Sequence, residues 1–246
     1  MIPNLMTTGN LFCGFYAIIS VFNADYLIAS VAILAATIFD SLDGKMARLV
    51  KATSKFGVEY DSLADLISFG LAPGLLIYSW ALNSHGRIGL LAVFLYTACG
   101  ALRLARFNVQ TSNSDGRFFT GLPIPAAAAV IASIVLLDHH KLRMGQEIKP
   151  LLILVITYSL AALMVSTVKY RSFKYFKLKE RKPFNFLVSA VLLLIVFIAE
   201  PQIMFFLVAT SYALSGPLER PITATVKLFG KNKVEVKVES EEHLKP

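Results

Sequence analysis

Four aspartates, two glycines, an alanine and an arginine recur at fixed intervals between positions 40 and 65. The order is Asp40, Asp43, Gly44, Ala47, Arg48, then Gly57, Asp61 and Asp65. They lie between segments apolar enough to span a membrane, where a single aspartate at the helix centre costs roughly 2.5–3.5 kcal/mol. Carboxylates gathered in such a place repel one another and need cationic compensation. Arg48 and the nearby lysines are too few and too peripheral to supply it. Divalent cations would, and hard oxygen ligands suit Mg²⁺ or Mn²⁺, with no histidine or cysteine near enough in sequence to argue for zinc. Four carboxylates have enough oxygens to bridge two ions about 3.5–4 Å apart, an arrangement used in phosphoryl chemistry. Gly44 and Ala47 leave the backbone open to a large ligand, and Arg48 can grip a phosphate through two parallel hydrogen bonds. The same acids would also suit a proton or cation pathway in a transporter.

The elements that carry these residues follow from helical geometry. At about 100° per residue, Asp40, Asp43, Gly44, Ala47 and Arg48 fall within roughly 140° of one helix face. Asp61 and Asp65, four apart, share a face of the next helix. The intervening segment is long enough to reverse the chain, so the two faces can oppose each other. The second segment is apolar only from Tyr26 to Phe39. Its helix must run past the apolar stretch or end in a polar pocket walled by other helices.

Composition sets the surroundings. Of 246 residues, 56% are hydrophobic and only 16% charged, and the mean hydropathy is +0.63; soluble domains average about 25% charged residues. The expected fold is an all-α polytopic membrane helix bundle. Eight transmembrane helices are expected, near 5–22, 27–49, 60–82, 87–108, 122–138, 149–168, 185–199 and 202–218. Residues 1–220 form the membrane domain, and 221–246 a charged tail expected to be disordered. The first segment lacks the basic start and cleavage pattern of a signal peptide, so it is expected to be a retained membrane helix.

The net charge of +8 points to membrane orientation and anionic headgroups. Nucleic acid is not an expected partner, because the basic residues cluster at the ends of apolar segments with no interleaved stacking aromatics. Arg48, Lys51 and Lys55, then Arg103 and Arg106, then Lys169 to Lys182 with seven basic residues, and finally the tail all fall on one side of an alternating chain. The positive-inside rule makes that side cytoplasmic, together with the aspartates and both termini. Cys13 and Cys99, both inside apolar segments, read as reduced packing residues.

The aspartate spacing resembles the signature of the CDP-alcohol phosphatidyltransferases at every specified position. These are membrane-embedded enzymes that transfer a phosphatidyl or related group from a CDP-linked donor to an alcohol and release CMP. The resemblance implies a six-helix core and a homodimer. It implies metal ligation by Asp40, Asp43, Asp61 and Asp65, with Asp65 also the general base. Gly44 and Arg48 would contact the CDP diphosphate, and Ser54 or its neighbour Thr53 the nucleotide. Asn4 and Thr7 fall where the first helix touches the cytidine end, although both would also serve as helix caps at the membrane surface.

Further stretches resemble the bacterial-type phosphatidylserine synthase branch of the family: Ile2 to Phe15, Asp61 to Pro73, Cys99 to Asn108, Thr120 to Pro125 and Met164 to Lys174. This branch implies CDP-diacylglycerol and L-serine as substrates, CMP as a product, and a place in the cell membrane with the site facing the cytoplasm. Glycerol 3-phosphate or inositol phosphate as acceptor, and CDP-archaeol as donor, remain alternatives. Arg103, Arg106 and Asn108 end the fourth helix level with the aspartates. A guanidinium there would hold an amino-acid carboxylate, or would anchor the helix by pairing with acids or lipid phosphate. Gly70 and Gly74 form a small-xxx-small pair that permits close helix packing.

Overall fold

The computed structural model describes residues 2–49, 54–110, 118–142, 148–171 and 199–218, with isolated positions between 188 and 197. Helices dominate. In chain order they are α1 (Ile2–Phe22), α2 (Tyr26–Leu49), α3 (Lys55–Asp65), α4 (Ala72–Ile77), α5 (Gly86–Gln110), α6 (Ile124–Leu137) and α7 (Ile148–Val165), followed by α8 over 201–218. Most of the expected seventh helix at 185–199, Thr53, and the tail 221–246 lie outside the described residues.

Runs within α1, α2, α3–α5 and α6 are long and apolar enough to cross a membrane, and α7 is a shorter apolar helix. Leu90, Leu91 and Phe94 on α5, and Phe12 and Phe15 on α1, are exposed. In a bilayer, lipid covers such faces. The architecture is therefore an all-α polytopic membrane bundle.

The second helix resolves the question its composition raised. It continues unbroken to Leu49, past the apolar run, through a segment rich in good helix formers such as Lys45, Met46, Ala47, Arg48 and Leu49. α3 begins where the Ser54 hydroxyl accepts the Gly57 N–H at 3.0 Å, an N-cap that satisfies one orphan donor. After Asp65 the helix widens into a π-helical turn, Leu66–Leu71, then α4, then a second π-turn, Tyr78–Leu82. Gly86, at φ +51°, reverses the chain, and α5 runs back along the same rod. The Tyr96 hydroxyl donates to the Phe69 carbonyl at 3.0 Å, and that of Thr97 to the Gly70 carbonyl at 3.3 Å. A Cβ at Gly74 would stand 3.1 Å from Val93 and 3.2 Å from Thr97, and one at Gly70 3.0 Å from Leu66. The small-residue pair thus lets α5 approach inside one chain. It is not an exposed face awaiting a second copy.

α6 is the central helix, with nearly every residue from Ile124 to Leu137 buried. Pro123 caps it and Pro125 occupies its first turn, where proline loses no hydrogen bond. Pro3, expected just before the first helix, lies in the first turn of α1 for the same reason.

The alternation read from the basic residues appears as two ends of the bundle. At one end Tyr26 meets Ser79, Lys149 lies over the Trp80 ring and pairs with Asp138, and Lys141 pairs with Glu200. The other end gathers the aspartates, the C-terminal part of α5, and an antiparallel ladder of β1 (Phe118–Thr120) and β2 (Lys169–Arg171), registered Phe119 to Tyr170. Gly121 (φ +81°) turns the chain from the ladder into α6 and donates to the Val168 carbonyl at 2.8 Å. Cys13 and Cys99 are both free.

Candidate active site

The two aspartate faces meet. Carboxylate oxygens of Asp40 from α2 and of Asp61 and Asp65 from α3 all lie within 4.8 Å of one another. Asp43, one turn beyond Asp40, is buried and stands against Asp61, and the Thr7 hydroxyl donates to its Oδ2 at 3.2 Å. The fit to a cation follows from the donor set. All groups are carboxylates, and Asp61 Oδ1 is buried with no hydrogen-bond partner among the described residues. A buried acceptor left unpaired is costly, and an oxygen-seeking divalent cation is a natural partner for it. Asp40, Asp61 and Asp65 can therefore hold a divalent metal ion.

One further residue engages the cluster directly. Asn10, fully buried on α1, donates from Nδ2 to Asp65 Oδ1 at 2.9 Å. The Asn10 carbonyl in turn accepts the Ser68 hydroxyl at 3.0 Å, tying α1 to the π-turn that follows Asp65. Gly14 makes this approach possible, since a Cβ there would fall 2.6 Å from Ser68 Cα. The spacing of the acids carried no hint of Asn10. The only available signal was a polar amide one helical turn beyond Thr7 on an apolar helix.

At the open rim, Asn4 and Ser54 come together around Gly57. A Cβ on Gly57 would meet Ser54 Oγ at 3.1 Å and Asn4 Oδ1 at 3.4 Å. Thr8 and Tyr60 share a hydroxyl contact at 3.0 Å beside them. Among the described residues nothing lies within 4 Å of a Cβ built on Gly44, so among them its face of α2, next to Asp43, is open. Arg48 lies on the same helix one turn further; its side chain is outside the described set.

The three residues at the end of α5 separate. Arg106 donates from Nη1 to the Val165 carbonyl at 2.9 Å, bracing α5 to α7. Asn108 donates to the Ser62 hydroxyl at 2.9 Å, bracing α5 to α3. Arg103 is buried, lies 5.5 Å from the Phe107 ring centroid, and feels Asp65, Tyr212 and Asp40 electrostatically.

A site with four carboxylates, an open glycine face and a polar rim is suited to holding a phosphorylated ligand through metal and activating a nucleophile beside it. Comparisons with known proteins agree. The family model described as CDP-alcohol phosphatidyltransferase matches residues 1–165. The chain is 43% identical to the CDP-diacylglycerol–serine O-phosphatidyltransferase of Helicobacter pylori over 72% of its own length and 74% of that protein. It is 38% identical to the enzyme of the same name from Bacillus subtilis, over 70% of its own length and 91% of that protein. It is also 38% identical to the archaetidylserine synthase of Methanothermobacter thermautotrophicus, over 69% of each chain.

Proposed function

The chain belongs to the CDP-alcohol phosphatidyltransferase family, and from that premise we propose that it transfers the phosphatidyl group of CDP-diacylglycerol to the hydroxyl of L-serine, giving phosphatidylserine and CMP. The observation that carries the chemistry is the convergence of the Asp40, Asp61 and Asp65 carboxylates. The acceptor rests on the relatives named for serine transfer.

Asp40, Asp43, Asp61 and Asp65 would hold two divalent cations, Mg²⁺ or Mn²⁺. Ions held there would supply positive charge to the donor diphosphate and to the CMP leaving group. The chain's own residues do the rest. Gly44 and Arg48 receive the diphosphate, the first by leaving room and the second by its charge. Ser54, with Thr53, Asn4 and Thr7, lines the nucleotide end. In support, Asn4 and Ser54 both approach Gly57, while Thr7 braces Asp43. Asp65 accepts the proton of the serine hydroxyl as that oxygen attacks the lipid-bearing phosphorus, and the bond from phosphorus to the CMP oxygen breaks. The Asn10 amide donates to Asp65 Oδ1 and so fixes the carboxylate in orientation.

The expected one-sided distribution of basic residues supports a cytoplasmic site in the cell membrane. There nucleotide and serine arrive from water, while the acyl chains enter between helices. A homodimer completes the reading; its support is the family resemblance, and chemical cross-linking of the purified protein in detergent tests it.

An acceptor panel tests the function. Purified protein, CDP-diacylglycerol and Mg²⁺ or Mn²⁺ are incubated with serine, glycerol 3-phosphate, inositol phosphate or inositol. Serine alone should release CMP and yield a new aminophospholipid. Release driven by a phosphorylated acceptor would overturn the assignment, and turnover with CDP-archaeol in preference to CDP-diacylglycerol would move the donor.

A further inference from the structure

One face of α1 carries two hydrogen-bond donors to two different helices of the site. Thr7 and Asn10, three apart, share that face and are 4% and 0% exposed. A buried polar side chain is costly unless its hydrogen bonds are made. Thr7 Oγ1 donates to Asp43 Oδ2 on α2 at 3.2 Å, and Asn10 Nδ2 donates to Asp65 Oδ1 on α3 at 2.9 Å. Less than one turn of α1 therefore bridges the two ligand-bearing helices.

α1 is itself fixed on both sides. A Cβ at Gly9 would stand 3.0 Å from the Phe39 ring of α2, and one at Gly14 2.6 Å from Ser68 Cα in the π-turn after Asp65. The Ser68 hydroxyl donates to the Asn10 carbonyl at 3.0 Å. Nearer the rim, the Thr8 hydroxyl donates to the Asn4 carbonyl at 2.7 Å. That spends its one proton, so Tyr60 is the donor in the 3.0 Å contact between the two hydroxyls. The result is a wedge held against α2 by Gly9 and Thr7, and against α3 and its extension by Asn10, Gly14 and Thr8.

The charge of the site gives the wedge a purpose. Oxygens of Asp40, Asp61 and Asp65 gather within 4.8 Å of one another, and like charges so close repel. Donors anchored on a third helix hold the carboxylates in place before a cation compensates them. Groups that hydrogen-bond a ligating side chain orient it and tune the affinity for the ion.

Resting on the reading that the aspartates hold divalent cations, we propose that Thr7 and Asn10 are positioning residues of the metal site: α1 fixes the spacing of Asp43 and Asp65 and thereby sets the affinity for the ion before any substrate binds.

The test offers Mn²⁺ alone to the full chain in detergent, with neither donor nor acceptor present. Binding is read from the loss of the paramagnetic resonance signal of free Mn²⁺. Thr7→Val, which keeps the branched shape and removes the hydroxyl, should weaken Mn²⁺ binding roughly 10–100-fold, and Asn10→Ala should do the same. Thr7→Ser, which keeps the hydroxyl, should recover most of the affinity. In turnover, Thr7→Val should need correspondingly more Mn²⁺ for half-maximal CMP release. Tyr60→Phe deletes a link between α1 and α3 that involves no carboxylate, and should bind Mn²⁺ as wild type does. If Asn10→Ala does not fold, the contrast of Thr7→Val with Thr7→Ser decides the matter.

Unchanged Mn²⁺ affinity in Thr7→Val and Asn10→Ala overturns the inference. So does an equal loss in Tyr60→Phe, which would mark a general loosening of α1. A raised KM for CDP-diacylglycerol in Thr7→Val with unchanged Mn²⁺ affinity would make Thr7 a nucleotide contact alone, and overturns it as well. Wild-type protein that binds no Mn²⁺ would overturn the metal reading and this inference together. Wild-type binding with unaffected variants would overturn this inference alone.

Discussion

Gly44→Ala should make the protein more stable and less active at once. Gly44 lies within α2, and among the described residues a Cβ built on it meets nothing within 4 Å, so their packing gives no reason for a glycine. In a helix interior, alanine is favoured over glycine by roughly 0.5–1 kcal/mol. For a chain of this size that corresponds to about 1–4 °C in thermal midpoint. The neighbouring Asp43 is buried against Asp61, so the open volume borders the proposed metal site, where the donor diphosphate would lie. A methyl group there pushes the diphosphate outward, and a misplacement of about 1 Å can cost on the order of 10²-fold in rate. Thermal unfolding of the ligand-free variant and initial rates of CMP release are the two assays. A midpoint equal to or above wild type with a large loss of turnover is the expected pair. Full activity would refute the view that this glycine is kept for the ligand, and a lowered midpoint would refute the claim that the space is free.

Asp65→Asn should abolish turnover while sparing much of the CDP-lipid binding, followed as thermal stabilisation by the donor; wild-type turnover would remove Asp65 as the base. Asn10→Ala deletes the 2.9 Å bond to Asp65, a charge-assisted bond worth about 1.5–3 kcal/mol. Its kcat should fall roughly 10–100-fold with the KM for CDP-diacylglycerol little changed. Gly14→Ala forces a Cβ within 2.6 Å of Ser68 Cα and should destabilise the protein by about 1–3 kcal/mol, read as a lowered thermal midpoint. It should also lower kcat, because the same contact brings Asn10 to Asp65.

Much of the site is legible from spacing alone, because α-helical periodicity converts intervals of three and four into a shared face. Asp40 and Asp43 on one helix, and Asp61 and Asp65 on the next, needed only a chain reversal to converge. The break between the expected helices 60–82 and 87–108, where Gly86 reverses the chain, was equally readable, since it is a local property. What spacing did not reveal depends on contacts between distant segments. Asn10 looks like any polar residue on an apolar helix until Gly14 brings α1 against Ser68. The π-turn after Asp65 leaves no mark in the hydrophobic pattern, because the residues around it are apolar on every side. Gly70 and Gly74 announce a close approach but not the partner, which proves to be α5 of the same chain. The ends of α5 show the limit most clearly. Arg103, Arg106 and Asn108 are equivalent on paper, and tertiary packing alone sends Arg106 to the Val165 carbonyl and Asn108 to Ser62 while Arg103 is buried with its Nε unpartnered among the described residues.

The most direct test of the central claim is stoichiometric. Isotope-labelled serine and CDP-diacylglycerol are incubated with the purified protein, and CMP and labelled phosphatidylserine are quantified together, with and without chelator. CMP and phosphatidylserine forming one to one, stopping on chelation and resuming with Mg²⁺ or Mn²⁺, is the predicted result. CMP released without label entering lipid, or transfer that survives removal of divalent cations, would contradict it.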